Sequence, residues 1–165
     1  MKITYLTGHD VREPINTGFI NLILHCCNDA NLMGSGVAKA LFDKWPDVKV
    51  KYHYAFKNNV NDKLGDVHYV KVDASTYVGN IIGQHNIHVD ESGNPPIRYW
   101  AMEKAFEKVV SSIRKRDEKV IVNIPYLMGC DLAGGKWERI EELINKHFVE
   151  NDIEVYVYDL FRKRG

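Results

Sequence analysis

The chain has 165 residues, a length suited to one domain around a single core. Hydrophobic residues make up 45% and charged ones 27%, the composition of a globular protein rather than a disordered or fibrous one. Lys+Arg and Asp+Glu balance at 22 each, which excludes an overall field for a polyanion such as duplex DNA, so any bound anion must be held locally.

Runs rich in β-branched and aromatic residues predict six strands, alternating with helical patterns. Lys2 to Thr7 reads as the first and Phe19 to His25 as the second. Val37 to Lys44 then has a helical stripe of Val37, Ala40 and Leu41, and Pro46 stands where a further helix can start. Asp66 to Val72 and Tyr77 to Gln84 read as strands, followed by the turn Gly93-Asn94-Pro95-Pro96. Tyr99 to Arg116 is the longest predicted helix, with Met102, Ala105, Phe106, Val109, Val110 and Ile113 at three- and four-residue steps. Val120 to Ile124, a helix over Trp137 to Phe148, and a last strand over Ile153 to Tyr158 complete the pattern. Such alternation implies an α/β fold with a largely parallel sheet covered on both faces.

In sheets of this kind ligands sit beyond the carboxyl ends of the strands. Two glycine-rich loops stand at such ends, Asn28 to Gly36 and Tyr126 to Gly135. Glycines there let backbone N–H groups approach a ligand, and a following helix N-terminus favours negative charge, which together describe a phosphate cradle. Neither loop is a Walker or GxGxxG motif, and each can equally be a tight turn with a helix cap.

Asn28 and Asp29, an amide beside a carboxylate at a strand end, suit a ribose diol; an Asx turn is the alternative. His25 has the chemistry of a general acid or base, or else of a satisfied structural histidine. Asp10 can reach a nucleobase amine or cap a turn. Tyr156 and Tyr158 point the same way by strand alternation, so one of them can stack on a base. The cysteines Cys26, Cys27 and Cys130 lack CxxC spacing and a metal-ligand register, which points to a reducing, cytoplasmic setting and to no metal or cofactor. Cys130 lacks a hydrolase signature. The longest apolar run, Phe19 to Leu24, is far short of a membrane span, so no membrane partner is expected.

Three ordered blocks, HCCNDANLMGSGVAKALFDKWP, GNPPIRYWAMEKAF and IPYLMGCDLAGGKWE, together resemble the macro domain, the three-layer α/β/α module that binds ADP-ribose, over essentially the whole chain. The resemblance implies a single macro domain over 1–165, with a six-stranded, mixed but mainly parallel sheet. It places Asp10 at the adenine amine, with His9 as the alternative because an extra residue separates Gly8 from Asp10. Asn28 should face the distal ribose. Gly34, Ser35, Gly36 and Val37 should offer amides to the phosphates, and Leu127, Met128, Gly129, Cys130, Asp131, Leu132, Ala133 and Gly134 should close over them. Tyr158 matches an aromatic that packs near adenine. The chain departs from relatives that cleave ADP-ribose from glutamate, since Gln84 and Ala133 stand where those have a lysine and an acid, and Asp131 replaces a common glycine.

The resemblance therefore implies an enzyme that hydrolyses ADP-ribose 1″-phosphate or a related ADP-ribosyl bond, with His25, Asn28, Asp29 and Asp131 as catalytic candidates. A non-catalytic reader of ADP-ribose or of ADP-ribosylated protein is the alternative. A nucleic-acid partner is disfavoured by the neutral charge, and Arg162-Lys163-Arg164 reads as a solvated end.

Overall fold

The computed structural model describes residues 1–57 and 63–161; Arg162-Lys163-Arg164 lies outside the described residues. In chain order the elements are β1 (Thr4–Thr7), β2 (Ile20–Asn28), α1 (Gly36–Lys44), α2 (Asp47–Lys57), β3 (Val67–Lys71), β4 (Thr76–Gln84), α3 (Tyr99–Arg114), β5 (Val120–Pro125), α4 (Trp137–His147) and β6 (Val155–Asp159), with a 3-10 turn at Val149–Asn151. The sheet runs β1-β6-β5-β2-β4-β3. Only the β3–β4 pair is antiparallel among these neighbours.

Alternation along the central strands explains the three layers. In β2, Leu22 and Leu24 point to one face and pack with Met102, Phe106, Ile140 and Ile144 of α3 and α4. Ile23 and Cys27 point to the other, where Leu41, Val48 and Tyr52 of α1 and α2 cover them. A strand buried on both faces needs a near-continuous apolar run, and INLILHCC supplies it. Helix α3 buries Ala101, Met102, Ala105, Phe106, Val109 and Val110 along one stripe, each large side chain contributing about 1.5 to 3 kcal/mol.

Several boundaries differ from those expected. Strand β2 continues three residues past His25, because β4 stays paired with it there, through a register shift at Cys27/Asn28, after the pairing with β5 has ended at Ile23. Strand β6 starts two residues late, since Asp152 adopts a left-handed φ of 60° and the Ile153 N–H turns back to Phe148 O at 3.0 Å. Helix α3 stops at Arg114, where a short turn closes with the Arg116 N–H on Ile113 O. Among the described residues no helix is long and apolar enough to cross a membrane.

Candidate functional site

Strands β5, β2 and β4 are adjacent and mutually parallel, so their carboxyl ends open on one edge of the sheet. Residues 125–133, 28, 32–38, 84, 87 and 88, at and after these ends, line a cleft of about 530 Å³. Its first wall is the loop into α1. Ser35 precedes the helix in an extended conformation and makes no side-chain cap hydrogen bond, and no acidic residue occupies the first turn. The first-turn N–H groups therefore keep their hydrogen-bonding capacity and their partial positive charge at the cleft. Gly36 has a φ of 62°, a left-handed geometry that lets the chain turn into the helix at this point.

The facing wall is the loop after β5. Its turn bonds run from the N–H of Met128 to Pro125 O, of Cys130 to Leu127 O, of Gly134 to Asp131 O and of Gly135 to Gly129 O, at 2.8–3.1 Å. The N–H groups of Gly129, Asp131, Leu132 and Ala133 are left without a protein acceptor among the described residues. Leu127 holds a left-handed φ of 65°, which costs a non-glycine residue about 1 to 2 kcal/mol, and it does so inside the cleft lining. Asp131 and Leu132 are both exposed at the mouth. Cys130 is half-buried, and burial followed by the charge of Asp131 lifts its thiol to about 11, so it stands as a thiol at neutral pH.

The polar groups at the end of β2 are engaged in holding the loop. Asn28 lines the cleft, but its side-chain N–H donates to Leu32 O at 2.8 Å, while its Oδ1 accepts from the Ala30 N–H at 3.0 Å and from the Tyr52 hydroxyl at 2.8 Å. This is the Asx-turn reading of the Asn-Asp pair. Asp29 accepts from His85 Nδ1 at 2.8 Å and from the Asn86 N–H at 2.7 Å, tying the loop after β2 to the loop after β4; it does not line the cleft. His25 lies inside β2 rather than at its end and is 2% exposed. Its Nε2 is 2.5 Å from Asn80 Oδ1, and Cys27 Sγ lies 3.8 Å from Nδ1. Burial pulls its pKa down to about 4, so the ring is neutral at neutral pH, and it is nonetheless among the residues that line the cleft.

No family model matches the chain. Among solved structures it is similar to a protein of unknown function from Bacteroides thetaiotaomicron, 39% identical over 97% of this chain and 99% of that one, with a TM-score of 0.90. It is also 30% identical to the macrodomain protein from Streptomyces coelicolor, over 96% of this chain and 99% of that chain, with a TM-score of 0.80. The chain belongs to the macrodomain family. Thermosipho africanus DarTG in complex with ADP-ribose shares the fold at 19% identity, a TM-score of 0.68, 87% of this chain and 39% of that one. A curated mouse relative, chromodomain-helicase-DNA-binding protein 1-like, is 26% identical over 172 residues, and the macrodomain chain spans 18% of its length.

Within this macrodomain the expected site residues divide into two groups. His25, Asn28, Gly34, Ser35, Gly36, Val37 and Leu127 through Ala133 converge on the cleft, with Gln84 beside them. His9, Asp10, Gly134 and Tyr158 do not line it. Asp10 lies in the segment after β1 and turns its carboxylate onto Arg12, accepting from the Arg12 backbone N–H at 2.9 Å and from its guanidinium at 2.7 Å; that bonding holds its pKa below the usual carboxylate range. Tyr158 is 3% exposed, donates its hydroxyl proton to Asn123 Oδ1 at 2.7 Å and accepts from the Ile15 N–H, so its ring is part of the core.

Three contributors were not read from the sequence. Ile87 and His88 line the cleft because β4, although antiparallel to β3, is parallel to β2 and ends on the same edge. The lining stretch 84–88 carries no glycine to mark it. Tyr52, from α2, meets the site only through long-range contacts. Among the described residues the group with metal-like spacing is Glu103, Glu107 and His147, which lies away from the cleft, with Glu103 already held by Lys146 and His147 at 2.7 and 3.0 Å.

Proposed function

We propose that the chain binds ADP-ribose, free or as an ADP-ribosyl group carried by a protein, in this cleft, and that it hydrolyses ADP-ribose 1″-phosphate or a related ADP-ribosyl bond there. The observation that carries the binding is the pair of facing loops, each presenting unengaged backbone N–H groups from parallel strands to one cavity of about 530 Å³. A diphosphate between them would accept hydrogen bonds from both sides, and the α1 N-terminus would favour its charge. The DarTG complex with ADP-ribose supports this reading, as a protein of the same fold.

For turnover, Asp131 is the carboxylate at the mouth, suited to take a proton from water as it attacks. A second reading, a reader without turnover, is favoured by the engagement of Asn28 and Asp29 and the burial of His25, with Gln84 in the lysine's place. Phosphate release from ADP-ribose 1″-phosphate tests the phosphatase form of the enzyme reading. The enzyme reading expects release by the wild type and a fall of about 100-fold in Asp131→Asn, with ADP-ribose affinity kept or raised because a negative charge is gone. Binding without release rules out the phosphatase and leaves the reader and cleavage of another ADP-ribosyl bond, and equal rates in the two proteins remove Asp131 from the chemistry.

A further inference from the structure

Tyr52 of α2 is fully buried, packed among Cys27, Met33 and Ile82 and set edge-on to Phe56 with ring centroids 5.0 Å apart. A phenylalanine would fill the same space, so the packing accounts for the ring and not for the hydroxyl. Its hydroxyl proton is shared between Asn28 O and Asn28 Oδ1, each at 2.8 Å, and its oxygen accepts the Leu32 N–H at 3.1 Å. All three bonds go to the loop after β2. Burial raises the phenol's pKa, so it remains a donor at any ordinary pH. The next residue, His53, places Nδ1 2.6 Å from Asn31 Oδ1, and Asn31 is itself in the left-handed region with φ 62°. Consecutive residues of one helix thus grip positions 28, 31 and 32, immediately before Gly34-Ser35-Gly36. Neither Tyr52 nor His53 lines the cleft.

From this geometry we infer that Tyr52 is a positioning residue, which presets the first loop by holding Asn28 and Leu32, so that affinity for a ligand with a diphosphate depends on a hydroxyl that never touches it. The inference rests on the reading of the cleft as an ADP-ribose site. A loop already in its bound conformation gives up less freedom when the ligand arrives, and the amides of 34–37 meet phosphate at no further ordering cost. Without the hydroxyl, the Leu32 N–H and the Asn28 carbonyl lose a partner, and the loop samples other arrangements.

The test compares wild type, Tyr52→Phe and Val48→Ala, the last a change at a fully buried α2 position that does not touch the loop. Two quantities are read: calorimetric affinity for ADP-ribose, and hydrogen exchange at the amides of residues 30–36 without ligand. The expected result is an affinity about tenfold weaker in Tyr52→Phe, with faster exchange confined to that loop, whereas Val48→Ala lowers Tm and leaves affinity unchanged. Wild-type affinity in Tyr52→Phe, or a loss matched by Val48→Ala, overturns the inference. Should the wild type itself not bind ADP-ribose, the proposed function fails on its own account. The clamp is then judged by exchange alone, where equal rates in wild type and Tyr52→Phe overturn it and faster loop exchange upholds it.

Discussion

His25 carries a stability consequence that its burial fixes. The folded ring sits near pKa 4 because the site excludes water, whereas an unfolded histidine titrates near 6.5. Between those values the unfolded chain binds a proton that the folded one does not. Its contribution is therefore complete above pH 6.5 and declines as the pH falls towards 4, by roughly 3 kcal/mol in all. Denaturant titrations between pH 7 and pH 5 should show wild type losing more stability than His25→Gln; parallel losses would contradict the neutral, buried assignment. At this scale residue types were legible in the sequence and their surroundings were not. A histidine near a strand end and a tyrosine in a last strand look the same whether they face a ligand or the core, and only the Asn80 contact to His25 and the Asn123 contact to Tyr158 decide between them. Asp10 is a case of the same kind, its carboxylate turned onto an arginine two residues away.

At the scale of elements, the two glycine loops were legible because glycine spacing is local information. Their closure depends on a contact between backbones. A Cβ on Gly135 would fall 2.3 Å from the carbonyl oxygen of Gly129, which its own N–H already bonds, while a Cβ on Gly34 would meet open space. Gly135→Ala should cost about 1 to 3 kcal/mol and pull the second loop out of shape, whereas Gly34→Ala should leave Tm near the wild-type value. Equal melting temperatures for the two variants would count against the loop geometry. Strands and helices were also visible from periodicity, and the ends that shifted did so for reasons of strand pairing and turn geometry. Strand β2 is prolonged by its pairing with β4, and β6 is delayed by the turn at Asp152.

At the scale of the whole molecule, the function rests on topology. With β2 seated between β5 and β4, three loops far apart in sequence share one edge, where the neutral chain presents backbone donors instead of side-chain charge. The three-layer order could be read from the alternation of patterns, but the pairing of α2 with the loop after β2 could not, since Tyr52 and Asn28 are brought together by packing over 24 positions. The central claim is that this edge is a binding site for ADP-ribose. Isothermal titration of the wild-type chain with ADP-ribose tests it directly. The account predicts saturable binding of one ligand per chain with micromolar affinity. The absence of binding heat at high micromolar ADP-ribose, with the protein folded, would contradict it.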